Sequence, residues 1–325
     1  MSTRRRGSEV AESFDAVLMI AFGGPTKPEE IRPFLANVLQ GVPVPPGRLE
    51  EVAHHYEEVG SRSPINELTF RQAKALTELL DREGPRLPVY VGMRYWHPLA
   101  SEAVEQMMRD GVRRAVGLVR RAVGLIMAAH DSGAASWGKY VNAVTKALEA
   151  AGPVAPRVEY APACSNHPDF IAAVAVRLQL DEIPSERRDG TPLVFTAHSI
   201  PSSMAAVSPY VQQLQDSCRL VAKALGHARW SLAYQSRSGD PRQPWLEPDV
   251  SDVLRELSAE GCRSVVVAPI GFVCDHVEVL FDLDLEAKAL ADSLGIELRR
   301  ASTVNDHPLY IRALADMVRQ RVLQG

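Results

Sequence analysis

The stretch SVVVAPIGFVCDHVEVLFDLDLEAK, residues 264–288, decides the fold. Ser264–Ala268 is a short valine-rich run and reads as a buried strand. From 277 onward the apolar residues recur at helical spacing, with Leu280, Leu283, Ala287 and Leu290 on one face. A strand that hands over to a helix through a short loop is half of a βαβ unit. The alternation recurs throughout the chain. Strand-like runs fall at 16–21, 88–91, 123–128, 157–160, 193–197, 230–234, 264–268 and 297–299. Helical patterns lie near 28–39, 49–58, 66–82, 99–109, 134–150, 168–180, 207–225, 249–259, 277–293 and 307–321. This order predicts an α/β protein built on parallel sheets, with ligands at the carboxyl ends of the strands.

The loops after the strands carry candidate chemistry. They read AFGGP (21–25), MAAHDSG (127–133) and TAHSIP (196–201). The paired glycines lack the GxGxxG or Walker spacing, so they predict a tight turn and argue against a nucleotide cofactor. His198 by itself is a common kind of loop residue. The loop after 268 is different: it places Asp275, His276, Glu278, Asp282, Asp284 and Glu286 within twelve residues. Asp275 and Glu278 have the spacing of a capping box. Glu278, Asp282 and Glu286 fall on one helical face, which a solvated stripe would also explain. Two features resist that reading. Like charges four residues apart destabilise a helix by a few tenths of a kcal/mol. Asp284 falls inside the apolar stripe of a regular helix, so it needs a partner or a local irregularity such as a π-bulge. Imidazole with carboxylate suits Fe²⁺ or Zn²⁺.

The remaining features bound the class. A net charge of −4 gives no electrostatic case for nucleic acid. Cys164, Cys218, Cys262 and Cys274 form no CxxC pair, so no zinc site or disulfide framework is expected, and a reducing cytoplasm is. Residues 1–13 are basic without an apolar run behind them and read as a disordered arm rather than a signal peptide. No apolar run approaches membrane-spanning length, and peripheral membrane contact is left open. Residues 113–126, RRAVGLVRRAVGLI, are a near-exact tandem copy of seven residues. Seven is odd and a strand has period two, so only one copy can occupy a sheet in register. The second copy adjoins His130 and is expected to be the strand. The first is expected to bulge or to extend the preceding helix, as a tolerated insertion or a cloning artefact rather than a basic patch.

The chain resembles the ferrochelatases, which insert Fe²⁺ into a porphyrin. The segments that carry the likeness are AFGGP (21–25), HYEEVGSRSPIN (55–66), YVGMRYWHP (90–98), TAHSIP (196–201), YQSRSGDPRQPWLEPDV (234–250), PIGFVCDHVEVLFDLDLE (269–286) and NDHPLYIRALADM (305–317). The resemblance implies two similar Rossmann-like halves, 14–155 and 156–325, with a porphyrin cleft between them and the last helix packing back. It implies that His198 and Glu278 face each other at the metal-insertion site as catalytic and metal-contacting residues. It also implies a π-turn after Glu278. Asp282 and Glu286 would relay cation or protons, and His276 would support Glu278. Substrate contacts fall to Phe22, Tyr56, Ser63, Arg94, Tyr95, His130 and Tyr140. Some members place an iron-ligating tyrosine where this chain has Phe22, which cannot ligate. The chain ends in RVLQG, without a cysteine-bearing tail, so no [2Fe–2S] cluster or other cofactor is expected, and Fe²⁺ is a substrate. The segments at 33–56 and 235–249 favour coproporphyrin III over protoporphyrin IX. A downstream haem-pathway enzyme would receive the product. The competing readings are a chelatase for another metal and a non-enzymatic porphyrin or haem carrier.

Overall fold

The computed structural model describes residues 14–41, 46–112, 120–178, 190–238 and 242–324. Among the described residues, eight strands form two four-stranded parallel sheets. The first contains β1 (Phe14–Ala21), β2 (Val89–Met93), β3 (Arg121–Ile126) and β4 (Arg157–Tyr160). The second contains β5 (Leu193–His198), β6 (Trp230–Gln235), β7 (Ser264–Ala268) and β8 (Glu297–Arg300). The spatial order is β2-β1-β3-β4 and then β6-β5-β7-β8, so both halves share one topology. The central strands β1, β3, β5 and β7 are buried nearly throughout, because helices cover both faces of a parallel sheet.

β4 pairs with β3 from Arg157 to Tyr160, so the first half runs through Tyr160 and not to 155. The run 157–160 reads as a strand in the sequence, but sequence order alone does not say which sheet an edge strand joins, and here it joins the first. The halves are welded, not hinged. One core cluster joins Val17 and Met19 of the first sheet to Phe195 and Val266 of the second through Phe170 and Tyr310. Tyr310 lies on the last helix, Pro308–Gln324, and meets the Phe170 ring edge-on at 6.0 Å. That helix packs back on the first half. Arg321 reaches the Glu159 carboxylate and lies 5.7 Å over the Phe14 ring.

The second copy of the repeat supplies β3, and the first, Arg113–Val119, lies outside the described residues. Copy two is held by specific pairs. Arg120 bonds Asp15, and Arg121 donates to Glu159 at 2.7 Å while its guanidinium covers the Phe14 ring at 4.2 Å. All described β3 contacts therefore come from residues 120–126. Deleting Arg113–Val119 is expected to change stability by less than about 1 kcal/mol, since the β3 pairs named above do not use that segment and the closure cost of a connection varies only logarithmically with its length. Thermal unfolding of the deletion variant checks this, and loss of the cooperative transition would refute it.

Candidate active site

The site is built at the carboxyl ends of β1 and β5 and in the long loop after β7. In the first half the AFGGP turn is tight, as its glycines predict. Gly23 has φ 84°, and a Cβ on Gly24 would lie 2.8 Å from that of Ser63. Asn66 clamps Gly24 at both its N–H and its carbonyl, each at 2.9 Å. The turn delivers Phe22 to the opening, where its ring meets Tyr95 at 4.8 Å. The Arg94 guanidinium lies 4.2 Å over the Tyr95 ring and 5.8 Å from the Tyr140 ring. Among the described residues no carboxylate pairs with Arg94 or with neighbouring Lys139. Burial draws both cations below their ordinary values, and for Lys139 the Arg94 charge adds to the effect.

In the second half β5 ends on His198. Its Nδ1 lies against the Ser199 carbonyl, which only accepts, so Nδ1 carries a proton and the neutral form of the ring presents its lone pair at Nε2. Nε2 faces Glu278 Oε2 at 3.8 Å, with side chains 31% and 40% exposed. Tyr210 fixes this strand end by donating to the His198 carbonyl at 3.0 Å. Gly271 lets the β7 loop cross: its N–H bonds the Thr196 carbonyl at 3.0 Å, and a Cβ there would lie 2.6 Å from that of Ala197.

The acidic segment is one continuous helix with a wide middle: Val277–Val279 is α-helical, Leu280–Ala287 is π-helical and Lys288–Ser293 is α-helical again. The N-cap is His276 and not Asp275. The His276 Nδ1 accepts from the Glu278 N–H at 3.3 Å, so the capping box expected between Asp275 and Glu278 does not form. Asp275 is occupied elsewhere. It accepts from Arg300 at 3.0 Å, Asn305 at 2.9 Å and the Thr303 N–H at 3.3 Å. Arg300 also holds Asp284 through two parallel bonds. Asp284 thus has both the partner and the helical irregularity that its place in the stripe demanded.

Asp282 is not part of a solvated stripe. Burial pushes its carboxyl up to about 7, helped by Glu278 and Glu286 and opposed by the Ser236 hydroxyl. Glu286 is raised too, by burial and then by the carboxylates of Asp249, Glu58 and Glu51. Glu51 and Glu58 lie on Arg48–Glu58 of the first half, so the acidic line ends where the halves meet. There His55 stacks on Phe281 of the π segment at 3.7 Å.

Phe22, Arg94, Tyr95, His198 and Glu278 keep partial exposure at the opening, whereas Tyr56, Ser63, His130 and Tyr140 are buried beneath it. Burial raises Tyr140 to about 12, and Glu278 is close enough to add to that shift. His130, expected as a substrate contact, is 3% exposed. Its Nε2 bonds Ser217 at 3.0 Å and its ring lies edge-on to Phe170 and Tyr210. It supports the wall from behind. Its position after β3 is identical in sequence terms to a surface loop, and only the packing of the second half over it makes the difference. The sequence reading also missed Lys139, Tyr210, Gln235, Ser236 and Arg300. For Arg300 there was a signal, since Asp284 required a cation.

Two like sheets, with an imidazole facing a carboxylate in the second half and a line of acids leading away from it, define an α/β protein with a histidine–carboxylate site; among the described residues no three His, Cys, Asp or Glu side chains gather as a ready-made metal site. Among solved structures, the sirohydrochlorin chelatase SirB from Bacillus subtilis subspecies spizizenii, in complex with cobalt, has the same fold. Its TM-score is 0.58 at 12% identity, over 95% of this chain and 96% of that one. CbiX, the terminal enzyme for siroheme biosynthesis in denitrifying bacteria, gives 0.54 at 14%, over 94% and 98%. The ferrochelatase family model matches residues 14–322. A coproporphyrin III ferrochelatase of Nocardia farcinica is 42% identical over 318 residues, covering 95% of this chain and 88% of its own. One of Mycobacterium avium is 44% identical over 310 residues, covering 94% and 87%. A ferrochelatase of Rhodopirellula baltica is 42% identical over 311 residues, covering 95% and 86%. The chain belongs to the ferrochelatase family, the porphyrin metal chelatases.

Proposed function

We propose that the protein inserts Fe²⁺ into coproporphyrin III in haem biosynthesis. The observation that carries this reading is the His198–Glu278 pair, 3.8 Å apart with both side chains partly exposed. Insertion exchanges two pyrrole protons for one dication. His198 Nε2 takes one proton or first meets the iron, since its lone pair is the one turned to the site. Glu278 takes the other role, and Asp282, then Glu286, carry charge outward. Two donors hold iron loosely enough to give it up to four nitrogens. Phe22 and Tyr95 offer aromatic surface to the macrocycle, and binding it bent would draw about 1–5 kcal/mol from the remaining contacts. Arg94 and Lys139, without a carboxylate of their own, suit a propionate. Coproporphyrin III carries four propionates and protoporphyrin IX two, and the relatives named for the former support that choice. Anaerobic competition between the two porphyrins for limiting Fe²⁺ tests it. Preferential conversion of protoporphyrin IX would reverse the assignment.

Asp282 predicts a pH dependence. Its proton leaves near pH 7, so a relay through it gives an acid limb in kcat/KM that rises through about 7. Asp282→Asn is expected to flatten that limb and lower the rate. The sign for stability is opposite. A folded-state value above the ordinary 3.8 means the native state holds an extra proton, so this contribution falls as pH rises from about 4 to 7. Asp282→Asn should lose that decline and unfold at a higher temperature than the parent at pH 8. An unchanged acid limb in the variant would remove Asp282 from the proton path.

A further inference from the structure

β6 ends on Gln235, and Ser236 follows it directly; no role above uses this pair. Gln235 is 1% exposed, yet its amide reaches out of the sheet into the helical segment. Nε2 donates to the backbone carbonyl of Glu278 at 3.0 Å and to Asp282 Oδ2 at 3.3 Å. Two acceptors fix the amide orientation, since the flipped form would set Oε1 against a carbonyl oxygen. Among the described residues, Oε1 itself is buried without a hydrogen-bond partner. Ser236 sits at φ 61°, a region that non-glycine residues seldom adopt. In that conformation its hydroxyl donates to the same Asp282 Oδ2. An orphaned amide oxygen and an unfavourable backbone conformation thus occur at adjacent residues. Both put donors on the first turns of the acidic helix, where α-helical spacing widens to π at Leu280.

Resting on the metalation reading above, we infer that Gln235 and Ser236 are positioning residues for the reaction. They grip the Glu278 carbonyl and the Asp282 carboxylate from β6. The grip sets the π register so that the Glu278 side chain faces His198 Nε2 and Asp282 stands next in line. β5 and β6 are hydrogen-bonded neighbours, paired from Leu193↔Trp230 to His198↔Gln235, so the clamp and His198 share one rigid frame.

Ser236→Gly separates positioning from stability. Glycine is at ease at positive φ, so the variant keeps the turn and loses only the hydroxyl. With Fe²⁺ and coproporphyrin III, its kcat is expected to fall about tenfold with porphyrin Kd within about twofold, as for a misplaced catalytic group. Its Tm is expected to equal or exceed that of the parent. Gln235→Leu, which removes both donor contacts, is expected to lose more. Combined with Asp282→Asn, Ser236→Gly should cost no further rate, because both act through one group. A Ser236→Gly enzyme with unaltered kcat, one whose kcat falls only as its Tm falls, or fully multiplicative losses in the double variant would overturn the inference. A parent protein that forms no haem at all overturns the metalation reading and the inference with it.

Discussion

His198→Ala is expected to abolish metalation while leaving porphyrin binding within about threefold. Loss of a proton-transferring group costs about 10²–10⁴ in rate, and this imidazole also offers the nitrogen that meets iron, so the upper end applies. The fold should survive. The side chain is 31% exposed, and the strand end is held by Tyr210 through the His198 backbone carbonyl, which alanine retains. Fluorescence quenching of the porphyrin reads binding, and anaerobic absorbance reads conversion. A variant that turns over near the parent rate would take His198 out of the mechanism.

Arg300→Met is expected to be the most destabilising single change near the site. Arg300 and Asp275 side chains are 14% and 15% exposed, and Arg300 carries four bonds to Asp275, Asp284 and the Ala301 carbonyl. Methionine fills similar space and leaves two carboxylates without their cation. Breaking such a buried network from one side costs about 3–5 kcal/mol. For a chain of this size that lowers Tm by about 10 °C. The exposed Arg312–Asp169 pair, removed the same way, should cost no more than about 1 kcal/mol and serves as the control. Urea unfolding with an unchanged m-value measures both. A cost below about 1 kcal/mol for Arg300→Met would mean that the network does not hold the π segment.

The described strands were legible in the sequence, and the central four were so because parallel strands buried on both faces are short apolar runs between turn residues. The pairing of His198 with Glu278 was legible only through resemblance. The two residues are far apart in the chain, and no periodicity links loops of different strands. Asp284 shows how far local physics reaches. Helical periodicity showed that it needed a partner or an irregularity, and the structure supplies Arg300 and the π turn together. Asp275 shows the limit. Its spacing to Glu278 fitted a capping box, but Arg300 at the end of β8 and Thr303 and Asn305 from the loop after it compete for its oxygens, and His276 takes the cap. The donors of Gln235 and Ser236 were hidden for the same reason. Their acceptors lie on a helix more than forty residues away.

The most direct test is a single-turnover reaction of the purified protein with Fe²⁺ and coproporphyrin III, without oxygen, followed at the Soret band. The account predicts conversion to the iron porphyrin at a rate that depends on His198. Porphyrin bound tightly, with no iron inserted by the parent protein, would contradict it and leave a porphyrin carrier in its place.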